Sequence, residues 1–144
     1  MTTTPDISAC ADCLCLASRK ASRAVTAHYD RALAPHGLRA TQFSLLATLE
    51  LRGATPLGEL AKFLGLDRTT LTRNLQPLED GHWLRSRPAP EDGRSRILSV
   101  TERGREAVFA AFPAWRKAQD EAADVARGHD LALLDHLAEI ARRH

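Results

Sequence analysis

The sequence has few aromatic residues, no long apolar run and no paired framework of cysteines. Aromatic side chains make up 5% of the 144 residues, so Ala and Leu carry most of the 44% hydrophobic content, which favours helix packing. No segment approaches the ~20 apolar residues of a membrane span. The N-terminal MTTTPDIS lacks the basic and apolar regions of a signal peptide. We therefore expect one domain in a cytoplasmic protein that contacts no membrane.

The sequence also lacks the short motifs that carry common catalytic chemistry. It contains no P-loop, no G-x-G-x-x-G after a strand, no G-x-S-x-G and no H-E-x-x-H. Its six histidines form no recognisable constellation. We predict that the protein is not an enzyme and has no cofactor.

The basic residues are almost all arginines. The net charge is only +2, but the sequence holds three Lys against seventeen Arg. The planar guanidinium group suits paired contacts with phosphate and guanine better than the Lys ammonium does. Where these arginines lie therefore says more about function than their sum.

The segment 55–80 predicts two short helices separated by a turn. Thr55 is expected to cap the first helix, with Pro56 at its first position. Gly65 should end that helix, and Asp67 should cap a second one that runs to about Asp80. The first helix has apolar residues at the i, i+3, i+4, i+7 spacing of a buried stripe: Leu57, Leu60, Ala61 and Leu64.

The second of these helices has one polar and one apolar face. At 100° per residue, Arg68, Thr69, Thr72, Arg73 and Gln76 fall on an arc of about 140°. Leu71, Leu75 and Leu78 fall on the opposite side. Arg can bind guanine or phosphate, Gln can pair with adenine, and Thr offers a hydroxyl and a methyl group. A solvated polar helix face is the alternative interpretation. Pro77 removes one helical hydrogen bond and is expected to bend or loosen the helix near Arg73.

A charged hairpin is predicted after the second helix. One strand spans Trp83 to Arg87 and the other Arg96 to Val100, and the dipeptide Asp92-Gly93 marks the turn. Four arginines lie in or beside it: Arg85, Arg87, Arg94 and Arg96. We expect Arg94 to enter a DNA minor groove, with Asp92 holding its guanidinium by paired hydrogen bonds. An ordinary exposed hairpin is the alternative.

Helices flank this helix-turn-helix and its hairpin. The first is predicted from about Ser8 to Ala34 and is followed by another from Thr41 to Leu51. Thr101 should cap a long helix that ends near Arg127, before a break at Gly128. Three helices each carry an apolar stripe. In the first helix it is Leu14, Ala17, Ala21, Val25, His28 and Ala32, and in the long helix it is Val108, Phe112, Trp115, Ala122 and Val125. In a final short helix it is Leu131, Leu134, Leu137 and Ala141. These stripes need burial, either in a two-fold dimer or within the chain.

Three segments make the chain resemble the MarR family of bacterial winged helix-turn-helix regulators: GLRATQFSLLATL, PLGELAKFLGLDRTTLTRNLQPLEDGHWL and EDGRSRILSVTERG. The last resembles the family's wing signature. The resemblance implies a mainly α (α+β) fold, with residues 1–144 as one domain. It places dimerisation helices at 8–34 and 102–144 and a winged DNA-binding unit at 41–101.

The resemblance also implies a function and a set of contacts. A homodimer would bind a palindromic operator on double-stranded DNA, most simply as a repressor, and would leave it when a signal arrives. Two-fold pairing would place the recognition helices about one DNA turn apart, roughly 34 Å. The family's DNA contacts correspond to Arg68, Thr69, Thr70, Thr72, Arg73 and Gln76 in the recognition helix and to Arg94 in the wing. A winged-helix module that binds a protein instead of DNA is the alternative.

Cys10, Cys13 and Cys15 lie together near the N-terminus, and three interpretations stay open. In the first, they are small apolar residues in a dimer interface. In the second, at least one is a redox sensor, because a helix N-terminus favours a thiolate, and the resemblance aligns Cys15 with the reactive cysteine of peroxide-sensing members. A metal site is the third interpretation, but no second ligand pair exists, so we predict no bound metal.

A small aromatic molecule is the other candidate signal. Family members often bind such effectors between the dimerisation helices and the winged unit. The resemblance suggests His28, Tyr29 and Trp115 as residues that line this cleft, although all three are equally compatible with packing.

Overall fold

The chain folds into helices around a small antiparallel sheet, as seen in a computed structural model that describes residues 6–127 and 132–142. The α-helices are α1 (Leu14–Leu33), α2 (Ala40–Arg52), α3 (Leu57–Leu64), α4 (Arg68–Asp80), α5 (Glu102–Ala126) and α6 (Ala132–Ala138). Short 3-10 helices span Ser8–Asp12, Ala34–His36 and Glu139–Arg142. The strands are β1 (Thr55–Pro56), β2 (Leu84–Pro88) and β3 (Arg96–Val100), in the sheet order β1-β3-β2. The predicted fold class is confirmed.

The core lies mainly in the winged unit and extends to Leu33 of α1 and to Val108 and Ala111 of α5. Leu71, Leu75 and Leu78 of α4 are each 0% exposed, so the apolar face predicted from helical spacing is buried. They belong to the same cluster as Leu60 of α3 and Leu98 of β3. Burial of this face holds α4 against the rest of the unit and leaves its other face free. None of the described helices combines the length and the hydropathy that crossing a bilayer requires.

The turn between α3 and α4 has the predicted end signals. Gly65 adopts a left-handed conformation with φ of 64°, which a glycine accepts without a steric penalty. Asp67 then caps α4, because its Oδ1 accepts a hydrogen bond from the backbone N–H of Thr70 at 2.8 Å. The helix-turn-helix is thus defined by residues at its ends. α4 continues as one helix through Pro77 to Asp80.

The prediction that Thr55 caps α3 is wrong. Thr55 and Pro56 form strand β1, which pairs antiparallel with Leu98 and Ile97 of β3. The Thr55 side chain is 4% exposed, and its hydroxyl donates to the carbonyl of Gly53 at 2.9 Å instead of accepting from a helix N–H. Pairing with a strand distant in sequence outweighs the local capping preference, and the wing becomes part of a three-stranded sheet.

The predicted wing strands are shifted by one residue on one side. β3 has the predicted bounds, whereas β2 begins at Leu84 and includes Pro88, which lies opposite Arg96. Proline is compatible with this place because β2 is an edge strand, where a missing N–H breaks no ladder on the open side.

The first predicted helix is interrupted. A 3-10 helix at Ser8–Asp12 precedes α1, and Cys13 between them has an extended backbone with φ −68° and ψ 111°. An extended residue cannot continue the helical hydrogen-bond ladder, so α1 begins at Leu14. At its other end, Gly37 follows the short helix at Ala34–His36 with φ of 70°.

The long helix α5 begins as predicted but buries a different stripe. Thr101 caps it through a hydrogen bond from the backbone N–H of Gly104 at 3.1 Å. The buried residues of α5 are Gly104, Val108, Ala111 and Ala118. Of the predicted stripe only Val108 is buried, while Phe112 and Val125 are exposed, because the small alanines face the neighbouring helices in the single chain. Gly128 and Leu131 lie outside the described residues.

Candidate nucleic-acid interface

The polar face of α4 is open to solvent. Arg68, Thr69, Thr72, Arg73 and Gln76 are all exposed, as the arc drawn from the sequence predicts. Among the residues that the structure describes, no carboxylate forms an ion pair with Arg68 or Arg73. Two guanidinium groups with their charge uncompensated on one helix face form a surface that attracts an anion.

Thr70 belongs to the helix cap and not to the arc. It is half-buried, and its hydroxyl donates to Oδ2 of Asp67 at 2.6 Å while its N–H donates to Oδ1. The side-chain hydrogen bond from Thr70, followed by the backbone one, holds the pKa of Asp67 below its usual value of 3.8. Thr70 therefore orients the start of α4 through Asp67.

Two other polar residues of the arc are held along the helix itself. The hydroxyl of Thr72 donates to the carbonyl of Arg68 at 2.8 Å, and Nε2 of Gln76 donates to Oδ1 of Asp80 at 2.9 Å. Because the Thr72 hydroxyl proton is used in this bond, the methyl group is the part of the side chain left for apolar contact with a base. The amide oxygen of Gln76 remains available as an acceptor while its nitrogen is engaged.

The tip of the wing presents Arg94 to solvent. The predicted guanidinium pair with Asp92 is wrong: Oδ1 of Asp92 accepts from the backbone N–H of Arg94 at 3.0 Å. The backbone N–H of Ser95 also donates to the carbonyl of Asp92 at 3.0 Å. Asp92 therefore shapes the turn that carries Arg94 and leaves the guanidinium free, because a side chain two residues away in a tight turn reaches the backbone first.

Arg96 joins the wing to the recognition helix. Its Nη2 lies 2.5 Å from Oε1 of Glu79 on α4, and its Nε donates to the hydroxyl of Ser86 on β2 at 2.6 Å. This arginine serves the structure of the unit. Arg85 and Arg87 are exposed on β2.

A cleft of about 220 Å³ separates the recognition helix from the wing. The start of α3, the first turn of α4 and residues 94–96 line it. Arg68 and Arg94 enter it from opposite sides, and neither has an ion-pair partner within the described part of the chain. Gly58 of α3 forms part of its floor. Reasoning from the sequence missed this glycine, although a glycine within a regular helix is a signal of close approach.

The cysteines lie at the start of the helical bundle. Cys13 is the residue that precedes α1, Cys15 lies in its first turn, and Cys10 is in the preceding 3-10 helix. All three are exposed free thiols. Within residues 6–127 and 132–142, no group of three or more His, Cys, Asp or Glu side chains has an arrangement that suits a metal ion.

The three suggested effector residues connect helices in the single chain. Nε2 of His28 lies 3.0 Å from the carbonyl of Ala118, and the hydroxyl of Tyr29 donates to Oε1 of Gln119. Burial raises the pKa of Tyr29 above its usual value of 10. Trp115 stacks between two phenylalanine rings, those of Phe43 and Phe112, with ring centroids 5.7 and 5.6 Å away. A role in effector binding stays a prediction.

Comparison with known proteins places this arrangement in a family. A profile described as "MarR family" matches residues 38–95, the region from α2 to the wing. Among curated proteins, the transcriptional regulator PecS of Dickeya dadantii is 35% identical over 79 residues, which cover 52% of this chain and 47% of PecS. The chain thus matches about half the length of that relative.

Solved structures extend the likeness to almost the whole chain. The transcriptional regulator MosR of M. tuberculosis, in complex with DNA, is 36% identical with a TM-score of 0.80, and the match covers 91% of this chain and 97% of MosR. Reduced AbfR bound to DNA is 28% identical with a TM-score of 0.70, and the match covers 88% and 92% of the two chains. With its exposed recognition helix and a wing that belongs to a three-stranded sheet, this chain belongs to the MarR family of winged helix-turn-helix transcriptional regulators.

Proposed function

We propose that this chain is a cytoplasmic, homodimeric repressor that binds a palindromic operator on double-stranded DNA and leaves it on a chemical signal. The observation that carries the proposal is the exposed surface of Arg68, Arg73 and Arg94, for which the described residues supply no ion-pair partner. The DNA-contacting residues are Arg68, Thr69, Thr72, Arg73, Gln76 and Arg94, while Thr70 acts through the cap. The DNA-bound states of MosR and AbfR support this proposal.

Exposed apolar side chains on the flanking helices support the dimer. Leu14 of α1 is 68% exposed, Val125 of α5 is 82% exposed and Leu134 of α6 is 61% exposed. Large apolar groups on three elements outside the winged unit mark a surface that a partner covers. A second copy of the chain fits best, because it would pair the two winged units around one two-fold axis and match a palindrome.

Replacing Arg73 by Ala should change which DNA sequences the protein prefers. Arg73 is exposed in the second turn of α4, where it can reach base edges, and a lost arginine-guanine contact costs about 1–3 kcal/mol of discrimination. Fluorescence anisotropy with operator and scrambled duplexes measures the change as a reduced ratio of the two affinities.

Arg94→Ala is the matched control for this experiment, since it removes the same charge from the wing. Because a minor-groove or phosphate contact carries little sequence information, affinity for both duplexes should fall by a similar factor. An unaltered preference in Arg73→Ala would remove this residue from the set that reads sequence. Failure of the unsubstituted protein to bind any duplex would instead favour the protein-binding module.

The signal that we favour is thiol oxidation at Cys15. An exposed thiol in the first turn of α1 is accessible to a small oxidant and lies at the positive end of the helix dipole. Structures of AbfR in reduced and overoxidized form are an additional support, since that relative is 28% and 26% identical in the two comparisons. A small aromatic effector near His28, Tyr29 and Trp115 is the alternative signal.

The oxidation step is a simple displacement. The Cys15 thiolate attacks one oxygen of a peroxide, the O–O bond breaks, and hydroxide or alkoxide leaves with the electron pair while sulfur becomes a sulfenic acid. In the proposed dimer, a new polar group beside the exposed Leu14 at the start of α1 would disturb the contact between subunits and so the spacing of the recognition helices. Cys10 and Cys13 are candidate partners for a following disulfide, which would release water.

Peroxide should weaken operator binding by the unsubstituted protein, and dithiothreitol should restore it. Cys15→Ser should keep its affinity in peroxide, whereas Cys10→Ser in the adjacent 3-10 helix should still respond, because Cys15 can still form the sulfenic acid and Cys13 remains as a disulfide partner. Binding curves with and without one equivalent of hydrogen peroxide measure this. Equal sensitivity of Cys15→Ser and the unsubstituted protein would rule out Cys15, and release by an aromatic acid alone would favour the alternative signal.

A further inference from the structure

We propose that Gly58 is a positioning residue for DNA binding, because the absence of a side chain there lets Arg68 lie in the cleft and bind a backbone phosphate together with Arg94. The inference rests on the proposed function and names a separate task for one arginine of α4. It divides the basic surface into residues that hold the DNA backbone and residues that read its bases.

The space beside Gly58 is filled by the guanidinium group of Arg68. A Cβ atom at this position would lie 2.9 Å from Nη2 of Arg68, 3.8 Å from its Cζ and 3.9 Å from its Nε. The guanidinium therefore rests directly over Gly58, and any side chain would push it away. Because the contact involves the far end of a flexible side chain and no backbone atom, the helices themselves need not move.

The direction of Arg68 distinguishes it from Arg73. Arg68 borders both the open face of α4 and the cleft that Arg94 also lines, whereas Arg73 lines the open face and is not among the residues that line the cleft. No carboxylate in the described ranges pairs with Arg68 or Arg94, and the remaining arginine of the cleft, Arg96, is bound to Glu79. Two guanidinium groups that line the same cleft suit a phosphodiester, which offers several acceptor oxygens at one centre.

A glycine at this position is also costly for the helix that holds it. Gly58 is the second residue of α3, where Ala would be favoured over Gly by helix propensity. If Gly58 serves only the fold, Gly58→Ala should be neutral for DNA binding. If it makes room for Arg68, the same substitution should leave the melting temperature unchanged or raise it while weakening DNA binding.

The experiment is a double-mutant cycle on the full chain. Arg68→Ala should lower affinity for operator and scrambled duplexes alike, by about fivefold per subunit at 0.15 M salt and about twenty-fivefold for a dimer. It should also reduce the slope of log affinity against log salt by about 1.8. Gly58→Ala should act in the same direction by about threefold or more, and should add nothing when Arg68 is already Ala.

Three outcomes decide the matter. Gly58→Ala with the affinity of the unsubstituted protein, or with a loss that persists in the Arg68→Ala background, would overturn the positioning role. An Arg68→Ala variant that loses preference for the operator while keeping its salt slope would assign Arg68 to base reading and overturn the phosphate contact. If the unsubstituted protein binds no duplex even at low salt, the proposed function itself would be overturned.

Discussion

The affinity of the protein for duplex DNA is expected to fall by about 10³- to 10⁵-fold as salt rises from 50 to 200 mM. This follows if the dimer neutralises about six to ten phosphates, since each contact releases counterions and adds about 0.9 to the slope of log affinity against log salt. The guanidinium groups of Arg68 and Arg94, which pair with no carboxylate in the described part of the chain, supply such contacts in each subunit. Fluorescence anisotropy across a series of salt concentrations measures the slope directly.

The size of the slope separates the two classes of function. A winged-helix module that binds a protein has no reason to respond to salt through DNA, so a flat titration would favour it. Lys117→Ala is a suitable control, because Lys117 is an exposed cation on α5, roughly 20 Å along the helix from the wing. It should keep the slope of the unsubstituted protein, while Arg68→Ala/Arg94→Ala should lower the slope by about 3.6 for the dimer.

Gly104→Ala is expected to destabilise the fold by about 3 kcal/mol, against the helix propensity of alanine. A Cβ at Gly104 would lie 2.0 Å from the carbonyl oxygen of Trp83 and 2.8 Å from Cγ2 of Val100. The Trp83 oxygen cannot retreat easily, because it accepts the backbone N–H of Thr101 at 3.1 Å. At about 2–4 °C per kcal/mol, thermal unfolding should show a melting temperature lower by about 6–12 °C.

Gly93→Ala is the matched control for this experiment. Gly93 lies in the wing turn and is exposed, and a Cβ added there would meet no atom within 4 Å, so its replacement should leave the melting temperature nearly unchanged. A Gly104→Ala protein with an unchanged melting temperature would mean that α5 can move away from the end of β2. The tight packing of the wing against α5 would then be refuted.

Helical periodicity was enough to predict the two faces of α4. Leu71, Leu75 and Leu78 are spaced three or four residues apart, so they form one apolar stripe along the helix. Such a stripe is stable in water only when it is buried, and all three side chains are buried. The end signals at Gly65 and Asp67 are equally local, since each acts through its own backbone or a hydrogen bond three residues away. The sequence predicted the helix and its exposed face correctly where the interactions that fix them lie within one helical turn.

The errors concern contacts between residues distant in the sequence or choices between competing local partners. Thr55 has the chemistry of a helix cap, but a backbone pairing with Leu98 places it in a strand. Asp92 has the charge to bind a guanidinium, but the turn brings the backbone N–H of Arg94 closer. In both cases several partners are chemically acceptable, and the fold selects the one that it places within reach.

Periodicity, caps and turns are properties of short segments, so the helix-turn-helix, its outer face with two arginines and its basic hairpin could all be predicted from the sequence. The partners and the position of each arginine depend on the tertiary structure. Arg96 is committed to Glu79 of α4, and Arg68 lies over Gly58 in a cleft that exists only when α3, α4 and the wing meet. The physical reason is that the free energy of a charged side chain depends on the partners that the fold brings within a few ångströms, and these come from separate segments of the chain.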